Sequence, residues 1–440
     1  MPHALAQLST TTASSPSPPP PHALATAPGS KQRAARAERV AARRRAVARD
    51  LRTDTITVPS LEMLQIMQEG TLGDSVYEED EDTRELEERV AQMAGKEAGL
   101  FCVSGTLSNQ LAIRTHLTLA TPANVVTDSR AHVHVSEAGG ISFHSQAPVH
   151  SVFCASGHHM TTEEVLDQCV VEEDVHCSMT RLVCVENTLS GMIFPQPELV
   201  RLRRALDLHS IPLHCDGARL WDAIAKTGMS LGEACEPFHS VSLCMSKGLG
   251  APIGSVLVGP KAFIEKAKWF RKLFGGGVRQ SGSLALAASY ALDTHLPLLP
   301  RAHALATRLA HGLVDLGVAL DLPVETGMVW IDPTPIGATM LELQERAMSD
   351  KGIVLGAPRG RVVLHFQVDD GVVDDLLDVV RRLKAAKVDD AREWEERVGH
   401  EHVEAVGRRS RMFAEGRWEG RIEGPRRSLP QYGRGQSRAA

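Results

Sequence analysis

Between residues 180 and 260, short β-branched apolar runs alternate with stretches whose apolar positions repeat at helical spacing. This predicts βαβ units and a parallel sheet. The run RLVCVENT stays apolar until Glu186 and Asn187. PELVRLRRALDLH then places Leu199, Leu202, Ala205 and Leu206 on one helical face, opened by Pro197 and Glu198. IPLHCDGAR reads as a second strand ending at Asp216, with Arg219 just beyond, and SVSLCMSKG as a third ending at Ser246 and Lys247. APIGSVLVGP looks like a strand returning after a tight turn, and upstream the apolar LFCV runs into Ser104, Gly105, Thr106 and a helical pattern.

In open α/β sheets ligands collect outside the carboxyl ends of the strands. Asn187, Asp216 and Lys247 are therefore expected to face one site. A lone lysine after a strand is ordinarily a solvated charge. One that ends a buried run, downstream of an aspartate ending another, carries more. An amine and a carboxylate on one floor are what pyridoxal phosphate requires: the lysine forms a Schiff base and the carboxylate keeps the pyridinium nitrogen protonated. Small residues opening a helix at Ser104–Thr106 offer free N–H groups to a phosphate, although Ser-Gly-Thr alone is equally a plain helix cap.

Composition narrows the class. The chain has 440 residues, 43% hydrophobic and 23% charged, which suits a large globular domain plus a smaller one. No apolar stretch reaches membrane-spanning length. With 48 basic and 54 acidic residues the net charge is −6, which argues against the folded body being a general nucleic-acid binder. The eight cysteines include no C-x-x-C pair and several lie inside apolar runs, pointing to a reducing, cytoplasmic compartment. Residues 1–49, Ser/Pro/Ala-rich and then Arg-rich, read as an extension without fixed structure, a mitochondrial transit peptide being the alternative. Residues 50–289 read as the large domain, 290–387 as a small α+β domain and 388–440 as a charged tail.

The segments DLRTDTITVPSLEM, GDSVYEEDEDTRELEERVA, SGTLSNQLA, ENTLSGMIFP, HCDGARLWDA, CMSKGLGAPIGSVLVG and FGGGVRQSG occur in order over residues 50–282. Together they resemble the L-threonine aldolases, most closely the fungal low-specificity branch, and the likeness runs on to about residue 385. The resemblance implies a fold-type I enzyme dependent on pyridoxal phosphate, with a mostly parallel sheet in the large domain. It implies retro-aldol cleavage of L-threonine and L-allo-threonine to glycine and an aldehyde, and a homotetramer built from dimers. It makes Lys247 the Schiff-base lysine, Asp216 the partner of the pyridinium nitrogen, and Arg219 a contact to the phenolic oxygen and substrate carboxylate.

Further roles follow from the same likeness. Gly105 and Thr106 would hold the phosphate, helped by Lys272 and Arg279, in part from a neighbouring subunit. His132 would stack on the pyridine ring and serve with His176 near the substrate hydroxyl. Arg361 would clamp the substrate carboxylate, while Thr53 and Tyr77 would border the substrate. No metal is implied, nor a nucleic-acid or membrane partner; His158 and His159 are read as surface residues. The chain departs from the family at Thr53 (for serine), at Ser75 and Glu78, and at Gly327 (for asparagine), the last expected to loosen the C-terminal domain. Rival readings are another cofactor-dependent lyase, releasing ammonia and a 2-oxo acid by β-elimination, or a catalytically silent interaction protein with basic tails.

Overall fold

The computed structural model describes residues 30–120, 122–356, 360–390 and 392. Seven strands form the central sheet: β1 (Ala98–Cys102), β2 (Ala123–Asp128), β3 (Val149–Val152), β4 (Met179–Glu186), β5 (Leu213–Gly217), β6 (Ser240–Cys244) and β7 (Ser255–Gly259). Their order is β1-β7-β6-β5-β4-β2-β3. β7 alone runs against its neighbours, so the sheet is mostly parallel, as the apolar runs predict. Strands β5, β6 and β7 are buried along their whole length, and such continuous burial is what helices on both faces of a parallel sheet produce.

The intervening helices form for local reasons. Ser104 caps Gly105–His116 by accepting the Leu107 N–H. Gln196–Asp207 buries Leu199, Leu202 and Leu206, the face that the spacing predicts, with Pro197 in its first turn. Each such leucine contributes roughly 1.5–3 kcal/mol on burial, and together they join Cys215, Trp221 and Val241 in the principal core. Cys215 packs into this core, and strand alternation turns the next residue, Asp216, to the opposite face of the sheet.

A second core unites the helix Leu299–Asp315, the strands β8 (Ala319–Leu320), β9 (Met328–Asp332) and β10 (Arg361–Val363), the helix Met340–Lys351 and the helical turns 372–390. Here the sequence expectation needs correcting at its start. Residues 30–47 form a helix and Leu51 is fully buried in this second core. Leu51 N–H donates to Val354 O, and Val363 N–H to Leu51 O. Residues 49–51 therefore belong with the small domain, because they add backbone pairs to a strand edge that lies some 300 residues on in sequence. Residues 1–29 and nearly all of the expected tail lie outside the described residues.

The small domain is fastened to the large one beside the strand ends. Thr326 donates to Gly191 O at 2.7 Å, Trp330 Nε1 to Ser190 O at 2.9 Å, and Glu325 accepts from Ile193 N at 2.6 Å. Gly327 lies at this junction. A Cβ there would stand 2.7 Å from Leu364 O, so the glycine permits a close backbone approach that a side chain would prevent.

Candidate active site

The carboxyl ends of β1, β2, β4, β5 and β6 converge. Asp216, at the end of β5, is 2% exposed; its Oδ2 accepts from Asn109 Nδ2 at 2.9 Å and its Oδ1 from the Ala218 N–H at 3.1 Å. Asn109 lies on the helix that Ser104 caps, so the β1 end and the β5 end are tied through one amide. That amide also donates to Glu137 Oε1 at 2.9 Å. His132 follows β2, with its Nδ1 2.8 Å from Glu137 Oε1 and its backbone N–H donating to Glu186 Oε2 at 2.7 Å. The ring is held at one nitrogen and leaves Nε2 free of protein partners among the described residues. The hydrogen bond to Glu137 raises the imidazole's affinity for a proton.

Atoms of His132, Glu137 and Asp216 come within 4.8 Å of one another. Their hydrogen bonds through Asn109 account for that convergence.

Arg219 lies just after β5, its side chain 13% exposed. Its Nε and terminal nitrogen donate to the two oxygens of Asp54 at 2.8 and 2.6 Å, a bidentate pair. Burial alone would raise the Asp54 carboxyl, but the facing guanidinium lowers it to about 2. Thr53 caps the short turn that Asp54 opens and so borders this pair. Arg361, at the start of β10, arrives from the small domain. Burial and the neighbouring Arg219 both weaken its hold on its proton, and its side chain has no hydrogen bond among the described residues. Arg361 has no ion-pair partner among the described residues, and an unpaired guanidinium beside Arg219 suits a bound carboxylate.

Lys247 follows β6 and its amine likewise makes no hydrogen bond or ion pair among the described residues. The end of β6 is fixed behind it, since Trp221 Nε1 donates to Cys244 O at 3.0 Å. At Gly105 a Cβ would stand 2.5 Å from Cys244 Sγ, so bare backbone is needed where the helix opens against β6. The N–H groups of Gly105 and Thr106 find no acceptor among the described residues. A partnerless amine, a buried carboxylate, an open helix start and an imidazole tethered at one nitrogen are together what pyridoxal phosphate needs. The residues fit the group.

Glu186, where β4 ends, is a site residue that its place at the end of an apolar run signals only weakly. Burial, then the negative charge of Asp216, push its carboxyl up to about 7. Folding thus favours its protonated form: the associated stability is fully present below the ordinary value of 4.5 and is lost as pH rises through about 7. Glu186→Gln is expected to flatten the fall in stability of the cofactor-free protein across that window, read by urea unfolding at stepped pH. An unchanged slope would show that the carboxyl holds no such proton.

Other expected residues stand elsewhere. His176 lies on an exposed loop before β4, at the amino end of that strand, whereas the site is at its carboxyl end. Eight residues of strand put it roughly 25 Å from Asp216. Tyr77 is 73% exposed, on a loop joined to Val278 and Arg279 through Ser75. Arg279 is exposed and paired with Asp74, and Lys272 is exposed at the end of its helix. Gly276 of the same stretch packs against Leu107, so this loop flanks the helix that Gly105 opens without reaching Asp216. Glu78 pairs with Lys268.

Asn187 is not turned to the site either: its Oδ1 accepts from Phe194 N and closes its own loop. Nor are His158 and His159 plain surface residues. They are half-buried, and His158 pairs with Glu325 at 2.9 Å, a carboxylate 167 positions away. A cleft of about 640 Å³ lies apart, between the start of β1 and the helix Lys261–Leu273. Its mixed charges include no member of the Asp216 cluster.

Comparison with known proteins agrees with this geometry. Residues 50–334 match the family described as beta-eliminating lyase. A probable low-specificity L-threonine aldolase of Schizosaccharomyces pombe is 45% identical over 333 residues, 76% of this chain and 86% of that protein. The low-specificity L-threonine aldolase of Saccharomyces cerevisiae is 45% identical over 323 residues, 73% of this chain and 82% of its own. Among solved structures, a Leishmania major threonine aldolase superposes with a TM-score of 0.65 at 17% identity, covering 76% of this chain and 99% of that one. That likeness speaks for the fold.

Proposed function

The chain belongs to the beta-eliminating lyase family, and from that premise we propose that it cleaves L-threonine and L-allo-threonine to glycine and acetaldehyde with pyridoxal phosphate as cofactor. The observation that carries the reading is the convergence of Lys247, Asp216, Arg219 and His132 in a chain 45% identical to proteins of that printed activity. The cofactor, when bound, supplies a sink for the electron pair left on Cα. Lys247 would hold it, Asp216 would keep its ring nitrogen protonated, and the N–H groups of Gly105 and Thr106 would take its phosphate.

The protein's own groups select the bond that breaks. Arg361 and Arg219 would hold the α-carboxylate, and the direction of that grip decides which Cα bond is presented for cleavage. When this is Cα–Cβ, the β-hydroxyl must lose its proton as the aldehyde forms. His132 can take that proton at Nε2, since Glu137 holds Nδ1 and stabilises the imidazolium. A proton returned to Cα completes glycine, so the reaction is balanced without water or oxidant.

Arg361→Ala is expected to raise KM for L-threonine by about 10–100-fold, the worth of hydrogen bonds to a charged group, with a smaller fall in kcat. Initial-rate kinetics test this; an unchanged KM would remove Arg361 from the carboxylate site.

The exposed positions of Tyr77, Lys272, Arg279 and His176 support a homo-oligomer, a tetramer of paired dimers in which one copy completes its neighbour's site. Exposed Trp269 and Leu273 adjoin that face. A cytoplasmic location belongs to the same reading, supported by eight cysteines that are all free thiols; no described helix is long and apolar enough to cross a membrane.

The test supplies holoenzyme with L-threonine, L-allo-threonine or D-threonine and follows acetaldehyde through a coupled NADH-dependent reductase. Acetaldehyde from an L-isomer alone supports the reading. Ammonia and a 2-oxo acid in place of glycine would overturn it in favour of β-elimination.

A further inference from the structure

We propose that Asp222 and His303 form a positioning pair through which the small domain sets the placement of Arg219 and of the Lys247–Gly248 turn. The idea rests on the aldolase reading only for the substrate used to test it.

Asp222 lies three residues beyond Arg219, and its N–H donates to Arg219 O at 3.0 Å. Its buried carboxylate reaches in two directions. Oδ1 lies 3.0 Å from His303 Nε2, on the helix Leu299–Asp315. Oδ2 stands 3.1 Å from where a Cβ on Gly248 would be, so the carboxylate rests against the backbone one residue after Lys247. Leu299, in the first turn of the helix that carries His303, closes the other side of Gly248 at 3.3 Å from the same point. The turn that presents Lys247 is thus gripped between Asp222 and one small-domain helix.

The same carboxylate acts on Arg219. Together with Asp54 it favours the charged guanidinium against the cost of burial. Arg219 is therefore set between the bidentate Asp54 and the backing Asp222. A cavity of about 10 Å³, room for a single water, remains among Asp54, Arg219, Asp222, Gly248, Thr326 and His365. His303 itself is 3% exposed, and its Nδ1 has no partner among the described residues.

Stability alone is a poor reason for such a pair, because well-packed apolar residues of similar volume commonly serve as well or better. What a buried hydrogen bond adds is direction. Here the direction runs from the small domain, whose Arg361 meets the substrate carboxylate, to the turn that carries the reactive amine. A displacement of one side relative to the other would misalign substrate and lysine, and errors of about 1 Å cost up to about 100-fold in rate.

The experiment compares holoenzyme carrying His303→Leu, His303→Gln, Asp222→Asn, and His303→Leu with Asp222→Asn combined. His303→Leu should lower kcat for L-threonine about tenfold, with a smaller rise in KM as Arg219 shifts. His303→Gln, whose amide can donate from near the Nε2 position, should recover most of the rate. The double variant should be no slower than the slower single one, as residues acting as one unit require. The absorption band of bound cofactor, read without substrate, should shift in His303→Leu and Asp222→Asn and return in His303→Gln.

Additive losses, a change confined to KM, or a lowered melting temperature with rate and band unchanged would each overturn the pair. If the unaltered protein makes no acetaldehyde, the aldolase reading fails by itself, and the band still decides the pair. If His303→Leu does not fold, Asp222→Asn and His303→Gln carry the comparison.

Discussion

Lys247→Ala is expected to abolish turnover, a fall of about 10³-fold or more, and to remove the visible absorption band of the bound cofactor. The geometry leaves no substitute. Among the described residues Lys247 alone follows a parallel strand into the Asp216 cluster with its amine unengaged; Lys272 is exposed outside the cluster and Lys268 is paired with Glu78 and Glu265. The fold should tolerate the change, because the strand end is fixed by Trp221 and by the backbone bond from Gly250 N–H to Lys247 O, neither of which uses the lysine side chain. Far-ultraviolet circular dichroism and melting temperature close to the parent's, with the band lost, would complete the result. A retained band near that of the parent would mean that another amine takes the cofactor.

How much of this was legible in the sequence depends on distance along the chain. A strand and the residue after it are written locally: the apolar run fixes the strand, and the polar residue that ends it falls at the sheet's carboxyl edge. Asp216 and Lys247 were readable for that reason, and β4–β5 register sets Glu186 beside Asp216. Partners contributed by remote segments carry no such local mark. Asp54 reaches Arg219 across 165 positions and Glu325 reaches His158 across 167, so only the folded chain reveals either pair. Glu137 lies five residues from His132 and could have been suspected, yet a short helix and a turn intervene before its carboxylate returns to the ring.

The expected residues that one chain leaves apart from Asp216 have the opposite cause. His176, Tyr77, Lys272 and Arg279 were assigned by likeness of segment, and likeness does not say which copy of the chain a side chain serves. The N-terminal boundary failed for a plainer reason. An Arg-rich, Ala-rich stretch reads as solvated, and its helix is exposed over Lys31–Val40; its later part is anchored, by Arg43 and Arg44 donating to Ile56 O and Pro59 O and by backbone pairing at residues 48–51 that composition does not register.

Asp216→Asn should lower kcat about 10²–10³-fold while leaving KM for L-threonine nearly unchanged. The carboxylate is nearly isosteric with the amide, so the effect divides into two parts. The first is local. Both oxygens of Asp216 now accept, one from Asn109 Nδ2 and one from the Ala218 N–H. An amide at this position must turn its NH₂ toward one of these donors, and a buried donor facing a donor costs about 1–3 kcal/mol. Unfolding in urea reads that cost. The second part is chemical. Asp216 is the carboxylate placed to keep a ring nitrogen protonated, and an uncharged amide no longer stabilises that proton. The electron pair released at Cα is then less well accommodated at the moment the bond breaks. Binding should survive, because Arg361, Arg219 and Lys247 do not hydrogen-bond to Asp216. A variant with intact kcat and only the stability loss would reduce Asp216 to a structural acceptor and transfer the protonating role to Glu186, the remaining carboxyl at the same strand edge.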